Sequence, residues 1–288
     1  MLQDIKPHQF NNEFKPKTPK SSDYVLIFNG DNILMDNSSQ NLEFIKVEQI
    51  NELNTNIIDK TIYLFSIDET SIFCTFESVQ ETENFKYINI SEFRTVLPEW
   101  MSFIVATASH LASWYDTNKF CGRCATPMEL SKTERALCCP KCGLIRYPHI
   151  NPAVIIGIID KDKILLTRYV DRPYKKLSLV AGYVEIGETL EDTISREVME
   201  EVGLRVKNIK YYKSQPWAFS ESLLMGFFAE LDGVSNIKID NKELSEATWY
   251  KREEISESET TMSLTNEMIE LFRNNKINDN DVEIIQNS

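Results

Sequence analysis

The sequence predicts a mixed α+β chain: a β-rich N-terminal domain, a four-cysteine zinc ribbon and an α/β/α sandwich. Three observations predict it. Apolar hairpin patterns fill the first 95 residues, two Cys-x2-Cys knuckles follow, and apolar strands then alternate with amphipathic helices, as in a mixed sheet covered on both faces. The expected division is 1–95 for the β-rich domain, 96–118 for a connecting helix, 119–147 for the ribbon and 148–288 for the sandwich.

Residues 1–22 are polar. Residues 24–28 read as a strand, 29–32 as a turn containing Gly30, and 33–35 as the partner strand. A second hairpin is expected from 61–67 and 71–76, turning near Asp68, Glu69 and Thr70. This region carries no recognisable catalytic constellation. Residues 98–116 form a helix candidate carrying Phe103, Ile104, Ala108, Leu111 and Trp114.

Four of the six cysteines form two pairs, Cys121 with Cys124 and Cys139 with Cys142, fourteen residues apart. Two such knuckles make a tetrahedral site for a structural Zn²⁺, since four thiolates leave no open position for chemistry. Gly122 and Gly143 stand where tight turns are expected. Disulfides are the alternative, and a reducing compartment disfavours them. Cys138 offers another register without the two-residue spacing, and Cys74 reads as a buried small hydrophobe. Lys119, Arg123, Lys132, Arg135, Lys141 and Arg146 keep a nucleic-acid-binding ribbon open as a competing reading.

The sandwich opens with apolar runs at 154–159 and 164–166, split by a polar turn at 160–163. Residues 177–180 lead into a glycine-flanked helix with an unusual load of carboxylates. Thr189 with Asp192 three residues on resembles a capping box, Gly187 permits the turn before it, and Gly203 suits a left-handed C-terminal cap. Ile194, Val198 and Val202 recur every four residues as the buried stripe. Glu197, Glu200 and Glu201, at i, i+3 and i+4, share a neighbouring face. Their mutual repulsion is relieved by a hard divalent cation, Mg²⁺ or Mn²⁺. Arg196 stands four residues before Glu200 and is placed to hold the cluster. A solvated acidic face is the bland alternative. Later strands are expected at 223–229 and 247–250 and a last helix at 263–274, followed by an acidic tail expected to be disordered.

The run from Gly182 to Leu204 matches the Nudix box residue for residue, and the chain resembles the Nudix hydrolases, which cleave a nucleoside diphosphate linked to another group. The resemblance implies metal ligands at Glu197, Glu200 and Glu201, an orienting Arg196, and a further ligand from the carbonyl of Ala181. Beyond the box, Ser214-Gln215-Pro216-Trp217-Ala218-Phe219-Ser220-Glu221-Ser222 resembles the Ser-Gln-Pro-Trp-Pro-Phe-Pro-x-Ser signature of the NAD(H) pyrophosphatase branch, with Ala218 and Ser220 in place of prolines. That branch also places a four-cysteine ribbon before the Nudix domain. Trp217 and Phe219 offer aromatic faces for dinucleotide rings, the alternative being a core strand with two buried aromatics. Tyr183 is placed to stack on a base. By resemblance, Glu134, Tyr147, Arg94, Thr265 and the loop residues Gln215, Pro216, Trp217, Ala218, Phe219, Ser220, Glu221 and Ser222 occupy substrate-contacting positions, and Glu243 supplies a further metal ligand or, alternatively to Glu201, the base.

The activity so implied is metal-dependent hydrolysis of NADH or NAD⁺ to AMP and NMN(H), with NAD-capped RNA as a second substrate and a homodimer as the assembly. ADP-ribose or another nucleoside diphosphate derivative remains open, as does a non-catalytic nucleotide-sensing module. The net charge of −13 argues against a general nucleic-acid-binding surface, not against a local pocket for a small anion. The longest apolar run, 153–159, is too short to span a bilayer, and no signal peptide opens the chain, so a cytoplasmic setting is expected. None of the three histidines, His8, His110 and His149, stands in a triad context, and His110 reads as a packing residue.

Overall fold

Strands β1 (Phe10–Asn11), β2 (Tyr24–Asn29), β3 (Asn32–Asp36), β4 (Ile62–Ile67), β5 (Thr70–Thr75) and β6 (Phe85–Asn89) form one sheet in the order β1-β4-β5-β2-β3-β6. This is a computed structural model; it describes residues 1–288 apart from 40, 54–56, 95–97, 171–176, 259, 261, 278–282 and 285–288. Both expected hairpins are present, β2 with β3 and β4 with β5. A parallel pair joins them, β2 on β5 with Tyr24 opposite Ile72. Val25, Leu26, Ile27 and Phe28 are all buried, because β2 is central and covered on both faces.

Helix α1 (Glu99–Thr117) buries every residue from Met101 to Ala106, then Ala108, Ala112 and Trp114. A helix apolar almost all round is a core element. It is anchored by Ser102, whose hydroxyl donates to the Phe93 carbonyl at 2.7 Å. His110 does more than pack: its Nε2 lies 2.9 Å from the carbonyl oxygen of His149. The ribbon follows as β7 (Glu129–Leu130), β8 (Leu137–Cys138) and β9 (Ile145–Arg146), an antiparallel sheet. All of this lies in one compact unit, Leu2–His149; Ile150–Ser288 with Met1 forms the other.

The second unit contains β10 (Asn151–Asp160), β11 (Lys163–Tyr169), β12 (Val180–Tyr183), α2 (Leu190–Val202), β13 (Val206–Trp217), β14 (Ser222–Leu231), β15 (Leu244–Lys251), α3 (Leu264–Arg273) and β16 (Glu283–Ile284). Its sheet runs β15-β11-β10-β14-β13-β16, and β12 also pairs with β10. Alternation along β10 splits the core in two. Val154, Ile156 and Ile158 pack under α2 with Ile194, Val198 and Val202. Ile155 packs under α3 with Leu264, Met268 and Phe272. The α/β/α sandwich is therefore present, built on a long parallel pairing of β10 with β14 from Asn151 opposite Ser222 to Ile159 opposite Glu230.

Two features differ from expectation. Residues 214–217, read from sequence as part of a loop, end the long strand β13. Its pairing with β14 shifts register twice, between Lys207 and Lys210, where Asn208 takes a left-handed φ of 51°, and between Tyr211 and Lys213. The expected disordered tail falls largely outside the described residues, apart from β16, which pairs Ile284 with Lys210. No helix among the described residues is long and apolar enough to cross a membrane.

Candidate active site

Helix α2 is fixed at both ends as its sequence requires. The Thr189 hydroxyl accepts from the Asp192 amide at 3.1 Å, and the Asp192 carboxylate accepts from the Thr189 amide at 3.3 Å, so the capping box is real with Asp at its third position. Gly187 takes a φ of 97° before it, and Gly203 closes it at φ 66°. Ile194, Val198 and Val202 are fully buried, which sets the rotation of the helix and leaves the carboxylates at the edge of the core.

The carboxylates then divide by burial. Glu201 is 2% exposed and Glu197 9%, whereas the Glu200 side chain is 59% exposed. Glu197 sits against β12, where Gly182 leaves a vacant side-chain position: a Cβ there would stand 2.0 Å from the Glu197 carboxyl carbon. The first glycine of the box thus makes room for the Glu197 carboxylate. Burial pushes the Glu197 carboxyl up, the Arg196 guanidinium opposes this, and Glu200 and Glu243 push it further up. The influence of Glu243 has a backbone basis. The Asp240 amide donates to the Glu201 carbonyl at 3.0 Å, docking the Asp240–Leu244 turn on the end of α2.

Arg196 is the hub. Its Nη1 donates to Glu197 at 2.7 Å and to Glu200 at 3.1 Å, and its Nη2 to the Tyr183 carbonyl at 3.0 Å. The expected contact with Glu200 is present, yet the tighter grip is on Glu188, held by Nε at 2.6 Å and Nη2 at 2.9 Å. That bidentate pairing holds the Glu188 carboxyl down at about 2, with the Glu185 amide and the Thr193 hydroxyl assisting. Sequence reasoning did not assign Glu188 a role; its signal was its fixed place in the box.

Glu197, Glu200, Glu201 and the carbonyl of Ala181, on the peptide leading into Gly182, offer oxygen donors only, while the cysteines of the ribbon are the group among the described residues whose ligand atoms already lie together. Oxygen donors fit a hard divalent cation. The Tyr169 hydroxyl lies 3.5 Å from that carbonyl oxygen. Gly182→Ala is expected to drive Glu197 off its seat and weaken Mn²⁺ binding at least about tenfold by calorimetry, as costly steric displacements do. An affinity within twofold of the parent would remove Glu197 from the site.

The aromatic side of the unit is half-buried. Trp217 and Phe219 meet edge to face at 5.3 Å, and Tyr183 is 51% exposed. Neither a buried core strand nor a free loop describes 214–222. The segment is the end of β13, a single 3-10 turn at Ala218–Ser220, Glu221 at φ 54°, and the first residue of β14. Pro216 and Ser220 are exposed, Ala218 is half-buried and Ser222 is buried. Gln215 is fully buried, its amide spanning from the Met262 carbonyl, 2.9 Å, to the Leu264 amide, 2.7 Å. It fixes the start of α3, where half-buried Thr265 sits in the first turn.

In the other unit, the Tyr147 hydroxyl donates to both oxygens of Glu134, at 3.1 and 3.2 Å. Both residues are exposed. The Arg94 side chain lies outside the described residues. The Sγ atoms of Cys121, Cys124, Cys139 and Cys142 lie within 4.8 Å of one another, with 3.5 Å between Cys121 and Cys142 and between Cys124 and Cys139. Disulfide sulfurs stand about 2.05 Å apart, so these are thiols; a zinc tetrahedron with bonds of about 2.3 Å needs sulfurs about 3.8 Å apart, which this cluster fits. Cys138 lies outside it and Cys74 is buried, its thiol pushed up by that burial.

The knuckles are near twins. The Ala125 amide donates to the Cys121 carbonyl at 2.8 Å and the Gly143 amide to that of Cys139 at 3.0 Å. Both acceptors of φ strain follow the second cysteine: Ala125 at φ 56° and Gly143 at φ 70°. The first knuckle therefore carries its left-handed residue at Ala125, not at Gly122 as expected, because the turn reverses one residue beyond the cysteine pair.

Comparison with known proteins finds two domain families along the chain. The NUDIX domain family matches residues 149–272, and the NADH pyrophosphatase zinc ribbon domain matches residues 116–147. Two curated relatives, each named "NAD-capped RNA hydrolase NudC", come from Salmonella heidelberg (strain SL476) and Salmonella typhi. Each is 48% identical over 145 residues, 50% of this chain and 56% of the relative, so the chain spans about half the length of the curated relatives it matches. A crystal structure of a NUDIX hydrolase from Nitrosomonas europaea is similar at 23% identity and a TM-score of 0.46, covering 54% of this chain and 90% of that one.

Proposed function

We propose, for a chain that carries a NUDIX domain behind an NADH pyrophosphatase zinc ribbon, metal-dependent hydrolysis of the pyrophosphate bond of NADH or NAD⁺ to AMP and NMN(H), with removal of NAD caps from RNA as a second activity. The observation that carries this reading is the seating of Glu197, Glu200 and Arg196 beside a half-exposed tyrosine on β12. Pyrophosphate chemistry and an aromatic ring surface for a base then lie in one unit.

Glu197, Glu200, Glu201, the Ala181 carbonyl and Glu243 would hold Mg²⁺ or Mn²⁺. When bound, the cation would supply charge neutralisation for the pyrophosphate oxygens and a polarised water. Glu201 or Glu243 accepts the proton of that water. Attack on phosphorus breaks the P–O bond of the bridging oxygen, which leaves on the departing nucleotide. Arg196, anchored by Glu188, keeps the helix carboxylates and the Tyr183 carbonyl in register. Tyr183, Trp217 and Phe219 offer stacking surfaces in one unit; Glu134, Tyr147, Arg94 and Thr265 are carried as substrate contacts by the resemblance alone. The free cysteines agree with a reducing cytoplasm, and the homodimer is part of the proposal, checked by light scattering.

The test is a product assay with Mg²⁺ or Mn²⁺ and four parallel substrates: NADH, NAD⁺, ADP-ribose and NAD-capped RNA. AMP with reduced NMN, released fastest from NADH, is the expected result. Cleavage of ADP-ribose with NADH and NAD⁺ left intact would overturn the substrate assignment.

A further inference from the structure

Arg135 stands at the tip of the ribbon hairpin that joins β7 to β8, one residue after Glu134. The tip is closed by two backbone bonds. The Ser131 amide donates to the Ala136 carbonyl at 2.9 Å, and the Ala136 amide donates to the Glu134 carbonyl at 2.9 Å. Leu137 lies opposite Arg146, so the next step along this ladder brings Ala136 beside Tyr147. There the Tyr147 hydroxyl meets the Glu134 carboxylate at 3.1 and 3.2 Å. Both side chains are exposed, and water competes for each of them. Strands of two residues are too short to hold such a tip still by themselves.

Arg135 does not join the basic surface of the ribbon. Its side chain turns into the N-terminal domain. Nη2 donates to the Asn12 backbone carbonyl at 3.3 Å and to the Asn12 side-chain oxygen at 3.2 Å. The guanidinium carbon lies 5.6 Å from the centre of the Phe14 ring. Nη1 is buried, with no acceptor at hydrogen-bond distance. Within its electrostatic reach on that side are Tyr115 of α1, Tyr63 of β4 and Cys74 of β5, all buried, and none of them is a carboxylate. The receiving segment is itself fixed. Asn12 follows β1, where Phe10 lies opposite Ile67 and meets Phe65 and Phe103 edge to face at 5.3 and 5.0 Å. Tip and receiving segment belong to one unit, Leu2–His149.

A buried N–H without an acceptor weakens a fold, and an apolar side chain of similar length would pack without that cost. What the arginine gives is direction. A planar fork held on one edge by Asn12 and on its face by Phe14 fixes where residue 135 stands, and with it residue 134.

We propose that Arg135 is a positioning residue: it plugs the ribbon tip into the N-terminal domain and so sets the Glu134 carboxylate on the Tyr147 hydroxyl, which gives the N-terminal domain a part in dinucleotide binding. The part in binding rests on the proposed function; the anchoring of the tip does not.

Arg135→Met keeps a long apolar stem and removes the fork. The variant is expected to retain its zinc and to melt close to the parent. Its Ala136 amide is expected to exchange with deuterium about tenfold faster by NMR, the size of one lost charged hydrogen bond. The KM for NADH is expected to rise about fivefold with kcat within about twofold. A double-mutant cycle then separates positioning from general stability. Glu134→Ala raises KM by itself, and adding Arg135→Met to it is expected to change KM by less than about twofold, because Arg135 acts through Glu134. Phe14→Leu removes the ring beside the guanidinium and leaves the ribbon sequence intact. It is expected to speed the same amide, and it carries the test if Arg135→Met loses its zinc. Unchanged exchange at Ala136 overturns the anchor, and KM effects of Arg135→Met and Glu134→Ala that multiply overturn the positioning role. Faster exchange at Ala136 in a protein that cleaves no dinucleotide upholds the anchor and overturns the proposed function.

Discussion

Glu201→Gln is expected to lower kcat by about a thousandfold on NADH while the melting temperature stays within a few degrees, a loss typical of removing one charge-stabilising group from a hydrolytic site. Glutamine keeps the volume of a side chain that is 2% exposed, so packing is preserved and charge alone is lost. The backbone tie from the Glu201 carbonyl to the Asp240 amide is untouched by the substitution, which keeps the Glu243 turn docked. Glu200→Gln, at a side chain 59% exposed, tests the same charge without the burial. Steady-state rates and a thermal scan on each variant decide the matter. Near-native turnover in Glu201→Gln would exclude this residue both as ligand and as base and pass the role of base to Glu243.

Zinc removal is expected to unfold the ribbon. Binding of a structural zinc to four thiolates is worth on the order of 10–16 kcal/mol, more than a small three-stranded sheet of two-residue strands can supply by itself. Cys139→Ser, at a residue 3% exposed, removes one ligand from inside the cluster. The expected outcome is release of one zinc per chain to a chromogenic chelator and rapid proteolysis within 119–147. Calorimetry and a protease time course read it directly. A ribbon that resists the protease after complete zinc release would make the metal dispensable for folding.

Much of this is legible in the sequence, and the reason is locality. The capping box at Thr189 and Asp192, the left-handed Gly203 and the buried stripe of Ile194, Val198 and Val202 depend on residues within one or two turns of each other. The cysteine spacing is equally local. What sequence did not disclose is set by distant partners. Arg196 was expected to meet Glu200 four residues on, but it holds Glu188 more tightly, because the loop before α2 folds back over the guanidinium. Glu200 and Glu201 are adjacent in sequence and far apart in exposure, since the sheet under α2 decides which one is covered. Gln215 was placed among substrate contacts by resemblance, and its burial between the Met262 carbonyl and the Leu264 amide follows from how α3 packs on β13. The parallel pairings of β2 with β5 and β10 with β14 join segments far apart in the chain, and no local pattern reports them.

Strand β12 has a consequence for how the protein tolerates change. Its last three residues face three different obligations. Ala181 presents a carbonyl to the proposed cation, Gly182 yields its side-chain space to Glu197, and Tyr183 accepts from Arg196 at its carbonyl and from Ser222 at its hydroxyl. The reading frame of this strand against β10 is therefore a functional quantity. Slipping it by one residue would turn the tyrosine to the opposite face and push a Cβ at the buried glutamate. Single-residue insertions or deletions between 180 and 183 should abolish the proposed hydrolysis while leaving the sheet able to form, so a folded and inert protein is the signature of a frame error at this strand.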